Sequence, residues 1–126
     1  MSLLLDAAFV IDYLRGVPEA VARFARILEN GDEPFINEIV ACEVRTGLRD
    51  QDVHWLEAFL RPIEFVQPGP DVAVRAGAWR ADARRRGFHL SLPDALIAAA
   101  ADALGAAVLT RNVRDFALTP VRIETY

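Results

Sequence analysis

A chain of 126 residues with 53% hydrophobic and 25% charged residues has the length and composition of one domain, able to bury about two-thirds of its unfolded surface. No stretch combines low hydrophobicity with high net charge, so residues 1–126 are assigned to one domain without linkers or a disordered tail. The formal charge is −4, with 18 acids against 14 arginines and no lysine. That balance argues against sequence-independent nucleic-acid binding through bulk charge, and the lack of lysine excludes a Schiff base or a phosphate-loop lysine. A single cysteine, Cys42, rules out an intrachain disulfide and a thiolate zinc site, and is expected as a small buried apolar residue. The first residues lack a basic signal region, and the apolar run Ala95 to Ala101 is cut by Asp102. A soluble, cytoplasmic protein without a membrane segment is expected.

In chain order, Leu3-Leu4-Leu5 followed by an abrupt Asp6 predicts a short buried strand that delivers a carboxylate to a strand-to-helix turn. Asp6 reads equally as a helix N-cap or as a functional acid. Phe9, Val10, Tyr13 and Leu14 recur at helical spacing up to Gly16, and Asp12 on that helix reads as a solvated residue. Pro18 opens a second helix that ends at Asn30-Gly31. Residues 33–37 form a brief strand, and Asn37 caps a helix running to about Asp50. Glu43 lies on that helix among apolar neighbours, where it is either exposed between apolar stripes or in need of a partner.

An amphipathic helix from Asp52 to Leu60, a strand at 63–66, and a helix from Asp71 to Arg84-Arg85-Arg86 follow. The arginine triplet complements the helix dipole before Gly87, and is also a candidate for RNA phosphate contact. Ser91 caps an alanine-rich helix with Pro93 and Asp94 in its first turn. Beyond Gly105, residues 106–110 form a buried strand, 111–116 a polar turn and 121–124 a last strand. Alternating strands and helices predict an α/β fold, a mainly parallel twisted sheet of four to five strands with helices on both faces. Ligands of such sheets sit off the carboxyl ends of the strands, at a switch point of the topology.

His54 and His89 stand in bland surroundings, Ser91 lacks a nucleophile-elbow turn, and no glycine-rich dinucleotide or phosphate loop occurs. What remains is a set of acids brought to one sheet edge: Asp6, Asp94 and Asp115, with Glu43 on a nearby helix. Carboxylates held close raise one another's pKa, and a hard oxygen-liganded cation relieves this. A phosphoacceptor receiver domain, also α/β with clustered acids, would require a lysine that this chain lacks.

Four blocks in this order resemble the PIN-domain ribonucleases of the VapC toxin type, from type II toxin–antitoxin systems. They are Leu4-Leu5-Asp6 with Ile11-Asp12-Tyr13-Leu14, Asn37-Glu38-Ile39 leading to Glu43, Pro93-Asp94 through Ala99, and Leu109-Thr110-Arg111-Asn112 with Asp115-Phe116. The resemblance spans essentially the whole chain. It implies a Mg²⁺-dependent endoribonuclease, with Mn²⁺ as a substitute, that cuts single-stranded or loop RNA. Asp6, Asp94 and Asp115 would bind metal, Glu43 would position the metal or the nucleophile, and Thr110 and Asn112 would be polar supports. Arg84, Arg85, Arg86 and Arg111 are the candidate RNA contacts. The family further implies a homodimer held inactive by a VapB-like antitoxin. Two positions depart from the family pattern: Ala7 stands where a Thr or Ser often follows the first aspartate, and Asn112 where an aspartate is common. The alternative reading is a non-catalytic PIN-fold interaction module.

Overall fold

Strand β1 (Ser2–Leu5) is the middle of the sheet. Leu3, Leu4 and Leu5 are all fully buried, the continuous apolar run expected of a parallel strand covered on both faces. The computed structural model, which describes residues 1–126, pairs β1 in parallel with β2 (Glu33–Asn37) on one side and with β4 (Ala107–Leu109) on the other. β3 (Glu64–Val66) extends the sheet beyond β2, and β5 (Ile123–Glu124) beyond β4, so the order is β3-β2-β1-β4-β5 with every pair parallel.

Seven helices fill the connections: α1 (Ala7–Leu14), α2 (Pro18–Asn30), α3 (Glu38–Thr46), α4 (Val53–Leu60), α5 (Pro70–Arg85), α6 (Leu92–Leu104) and α7 (Val113–Phe116). From β1 the chain steps outward to β2 and β3, then crosses back to β4 and continues the other way to β5. Right-handed crossovers therefore put α1 to α4 on one face and α5 to α7 on the other. The reversal falls between β1 and β4, and that is the switch point.

Local chemistry accounts for most boundaries. Asn37 Oδ1 accepts from Val40 N at 3.0 Å at the start of α3, and Ser91 Oγ accepts from Asp94 N at 3.2 Å at the start of α6. Gly31 and Gly105 end α2 and α6 in the left-handed conformation, with φ of 70° and 66°. In α6, Ala95 and every residue from Ile97 to Ala101 are buried. Its small side chains seat it against the sheet, while Ala95 and Ala99 pack with Val72, Ala76 and Ala83 of α5. No helix is long and apolar enough to cross a membrane.

Four sequence expectations change. The helix expected to reach Asp50 stops at Thr46, with Gly47 as its cap, and a 3-10 turn at Asp50–Asp52 leads into α4. The polar turn at 111–116 holds the one-turn helix α7, which is anchored by the fully buried Phe116. The last strand is shortened to Ile123–Glu124. Cys42 is exposed rather than buried. Val40 and Val44 are the residues that α3 turns inward, and at about 100° per residue the position midway between them faces the opposite way.

Candidate active site

Asp6 leaves β1 at the switch point, and its backbone N–H donates to Leu109 O at the end of β4. The carboxylate is 3% exposed and satisfied on both oxygens: Oδ1 accepts from Ala7 N at 2.8 Å, and Oδ2 from Thr110 Oγ1 at 2.7 Å. Asp6 is thus an N-cap of α1, and at the same time one end of a buried bond to the neighbouring strand terminus. A cap alone needs no burial and no second donor. The hydroxyl missing at position 7 is supplied to Asp6 by Thr110, whose own oxygen also accepts from Asn112 N at 2.9 Å. Asn112 contributes through its backbone, and its side chain makes no hydrogen bond.

Asp6 is coupled to two further acids, raised by the charge of Asp94 and itself raising Glu43. Burial pushes the Asp94 carboxyl up, the Ser91 hydrogen bond opposes this, and the charge of Asp115 adds to the rise. Asp6 itself is pushed up mainly by burial, against its bonds from Thr110 and Ala7, with Asp94 adding to the rise. Glu43 is pushed up by burial first, then by the charges of Asp6 and Asp94. Asp6, Glu43 and Asp94 therefore form one electrostatic unit drawn from β1, α3 and α6, and Asp115 on α7 joins it through Asp94. Asp115 is exposed.

The donor set is all carboxylate oxygen, the chemistry of a hard divalent cation. No group of three His, Cys, Asp or Glu side chains closes to metal-holding geometry, so the acids form an open cluster rather than a ligand cage. Mg²⁺ keeps several waters and takes one or two protein carboxylates, which an open cluster of raised acids accommodates. The residues fit such an ion.

Sequence reasoning missed one constellation beside this cluster. Asp12 is 4% exposed, not solvated. Arg111 Nη1 donates to its Oδ1 at 2.7 Å and Oδ2 at 2.6 Å, and Tyr126 Oη donates to Oδ2 at 2.6 Å. The signal was present, since Asp12 follows the buried Phe9 by three residues and so lies on the same helix face. Its partners stand 99 and 114 positions away, beyond what local periodicity reveals.

The arginine triplet stands at the end of α5. Arg86 and Arg85 both approach Asp82, at 3.0 and 3.8 Å, and the Arg86 guanidinium stacks over Phe88. On the α1–α4 face, two clefts of about 390 and 280 Å³ share Leu14 and Trp55. The smaller is walled by Tyr13, Phe24 and Phe59, whose rings pack against one another at 4.8 to 5.5 Å between centroids.

Residues 3–120 match the PIN domain. The chain belongs to the PIN-domain family. Within that family it is of the VapC type: it is 35% identical over 119 residues to "Ribonuclease VapC19" of Mycobacterium tuberculosis, covering 93% of this chain and 94% of that one. It is 26% identical over 132 residues to the "tRNA(fMet)-specific endonuclease VapC" of Salmonella typhimurium, covering 100% of this chain and 98% of the relative. Among solved structures, VapBC2 from Rickettsia felis bound to a promoter DNA fragment has the same fold, with a TM-score of 0.86 at 22% identity over 100% of this chain and 99% of that one. DNA-bound VapBC from Salmonella typhimurium superposes with a TM-score of 0.85 at 25% identity, covering 99% and 98%. The α/β PIN fold with a parallel five-stranded sheet is therefore common to this chain and to proteins solved as VapBC complexes.

Proposed function

We propose that this VapC-type PIN domain is the toxin of a type II toxin–antitoxin pair, a cytoplasmic Mg²⁺-dependent endoribonuclease that cuts single-stranded or loop RNA. The observation that carries the reading is the convergence of Asp6, Glu43 and Asp94, delivered by β1, α3 and α6, at the switch point of the sheet, where burial raises each carboxyl, Asp94 raises Asp6 further, and both raise Glu43. Buried like charges are costly, and a fold that assembles them from three distant segments is matched to a cation and an anionic substrate. The names of the two sequence relatives, a ribonuclease and a tRNA endonuclease, support RNA as substrate.

Asp6 and Asp94 would hold Mg²⁺, or Mn²⁺ in its place, with Asp115 completing the acidic cluster. When bound, the ion supplies an activated water and neutralises charge developing on the phosphate. Thr110 fixes the Asp6 carboxylate and keeps both of its oxygens oriented. Glu43, partly buried and raised by burial and by the charges of Asp6 and Asp94, would position the metal or the nucleophile. Of the four candidate arginines, Arg84 and Arg111 contact the phosphates of the RNA, while Arg85 and Arg86 are paired with Asp82.

The partner is a VapB-like antitoxin, as in the complexes that share this fold. The apolar cleft walled by Tyr13, Phe24 and Phe59, with the mixed cleft beside it that carries Arg15, Arg49 and Asp52, suits a segment of such a protein. The toxin itself acts as a homodimer. The test is cleavage of RNA by antitoxin-free protein with Mg²⁺ or Mn²⁺, lost on addition of EDTA. Equal cleavage by wild type and by the double variant Asp6→Asn/Asp94→Asn would leave the non-catalytic interaction module as the correct reading.

A further inference from the structure

The Asp12 constellation has no part in the acidic cluster, yet it is built beside it. A carboxylate with 4% exposure must be paired, and Asp12 is paired by two residues contributed from opposite sides of β5 in the sequence. Tyr126 is itself fixed, its ring meeting Phe9 edge-on at 5.0 Å between centroids and 81°. Burial and the hydrogen bond to Asp12 push its phenol up, so it stays a donor. Arg111 differs in being half in solvent, with 54% of its side chain exposed against 5% for that of Asp12.

The guanidinium spends only Nη1 on Asp12, and Nε and Nη2 make no bond within the protein. A planar fork with one corner anchored and one edge free is the form in which arginine recognises a phosphate. Its backbone is equally constrained, because Thr110 on one side bonds Asp6 and Asn112 N on the other bonds Thr110. From Asp6 to Asp12 is six residues of α1, about 9 Å along the helix. Held at Asp12, the guanidinium is displaced along α1 from Asp6, so a strand with its scissile phosphate at Asp6 would bring a neighbouring phosphate toward it.

We infer that Asp12 and Tyr126 are positioning residues that hold the Arg111 guanidinium as a clamp for an RNA phosphate flanking the scissile one. The inference rests on the RNA reading of the site, and deepens it by assigning the group that sets where the strand lies. It also explains why a buried carboxylate stands outside the acidic cluster.

The experiment is fluorescence anisotropy of a labelled single-stranded RNA of about a dozen nucleotides with the full chain in EDTA, between about 50 and 200 mM salt. Arg111→Ala weakens binding roughly 5- to 20-fold at the low-salt end and makes the log–log salt dependence shallower by about 0.7, one phosphate of a single strand. Arg111→Lys keeps the slope but binds about threefold more weakly, because charge remains and the fork does not. Tyr126→Phe keeps the ring on Phe9 and loses only the hydroxyl, so affinity falls about two- to fivefold with thermal stability nearly unchanged.

With Mg²⁺ present, Arg111→Ala raises KM on the long RNA and leaves both constants unchanged on a dinucleotide, which has no flanking phosphate. Unchanged affinity in Arg111→Ala, a wild type that does not bind this RNA, or equal losses on the dinucleotide and the long RNA would each overturn the inference. If the wild type binds in an Arg111-dependent way but never cleaves, the clamp stands and the nuclease reading falls. If it cleaves with no dependence on Arg111, the reverse holds.

Discussion

Thr110 Oγ1 and Asp6 Oδ2 are 2.7 Å apart although 104 positions separate them in the chain. They meet because β1 and β4 are parallel neighbours in the register Leu5 to Leu109, so the residue following each strand emerges on the same edge. The bond joins the two sides of the topological switch point, and it opposes the rise that burial imposes on the Asp6 carboxyl.

Replacing Thr110 by valine keeps the shape and removes the hydroxyl. Asp6 then loses a bond that favours its ionised form, and its pKa rises further. If Asp6 holds a cation as proposed, it must be ionised to do so, and the acid limb of the pH–rate profile should move to higher pH. Loss of such a supporting bond typically costs about 10- to 100-fold in metal affinity or activity, and the deficit should shrink as pH is raised. Thr110→Ser should behave nearly as wild type. A loss of the same size at every pH would mean that valine disturbs the end of β4 rather than the protonation of Asp6.

The raised acids also make a prediction about stability. A carboxyl whose pKa is higher in the folded than in the unfolded chain binds its proton more tightly when folded. Its contribution to stability is therefore fully present below the unfolded value, near 4, and is lost as pH rises through the folded value. At neutral pH, Asp6, Glu43 and Asp94 thus strain the metal-free protein. Asp94→Asn removes one of these charges and keeps the backbone N–H that donates to Ser91. Its Tm without metal should exceed that of wild type at pH 7 by roughly 1–3 °C, because solvent screening of a half-buried carboxyl leaves only a fraction of about 1 kcal/mol. The gap should close below about pH 4. Added Mg²⁺ should raise the Tm of wild type and have little effect on the variant. Scanning calorimetry at the two pH values, with and without Mg²⁺, measures all three effects.

How far this could be read from the chain follows from the range of each interaction. The triple leucine of β1, the caps Asn37 and Ser91, and the stops at Gly31 and Gly105 are local signals, and each stands where its chemistry places it. The parallel sheet followed from alternation, and Asp6 and Thr110 could both be put at its carboxyl edge from strand ends alone. The pairing of Asp12 with Arg111 and Tyr126 was not legible, because helical periodicity shows that a face is buried but not what lies against it. Cys42 failed for a related reason. Composition makes a lone cysteine a buried residue by default, whereas the inward direction of α3 is set by Val40 and Val44.

The last prediction concerns Arg84, Arg85 and Arg86, three cations at the end of α5 that would suggest three bound phosphates if counted by charge. Arg86 and Arg85 share Asp82, and Arg86 also covers Phe88. Arg84 alone has no acidic partner, and it lines the small cleft that includes Phe88 and His89. On a single strand, each phosphate that a variant no longer neutralises flattens the salt dependence by about 0.7. The triple alanine variant should therefore flatten it by about 0.7 rather than by about 2, and Arg84→Ala alone should reproduce most of that change. Thermal stability should fall in the triple variant by no more than about 1 kcal/mol, the value of cations in the last turn of a helix. Anisotropy titrations of the single and triple variants across salt concentrations measure the slopes. An unchanged slope in the triple variant would reduce the cluster to its role at the helix end, and a fall near 2 would show that Asp82 releases both of its partners to the RNA.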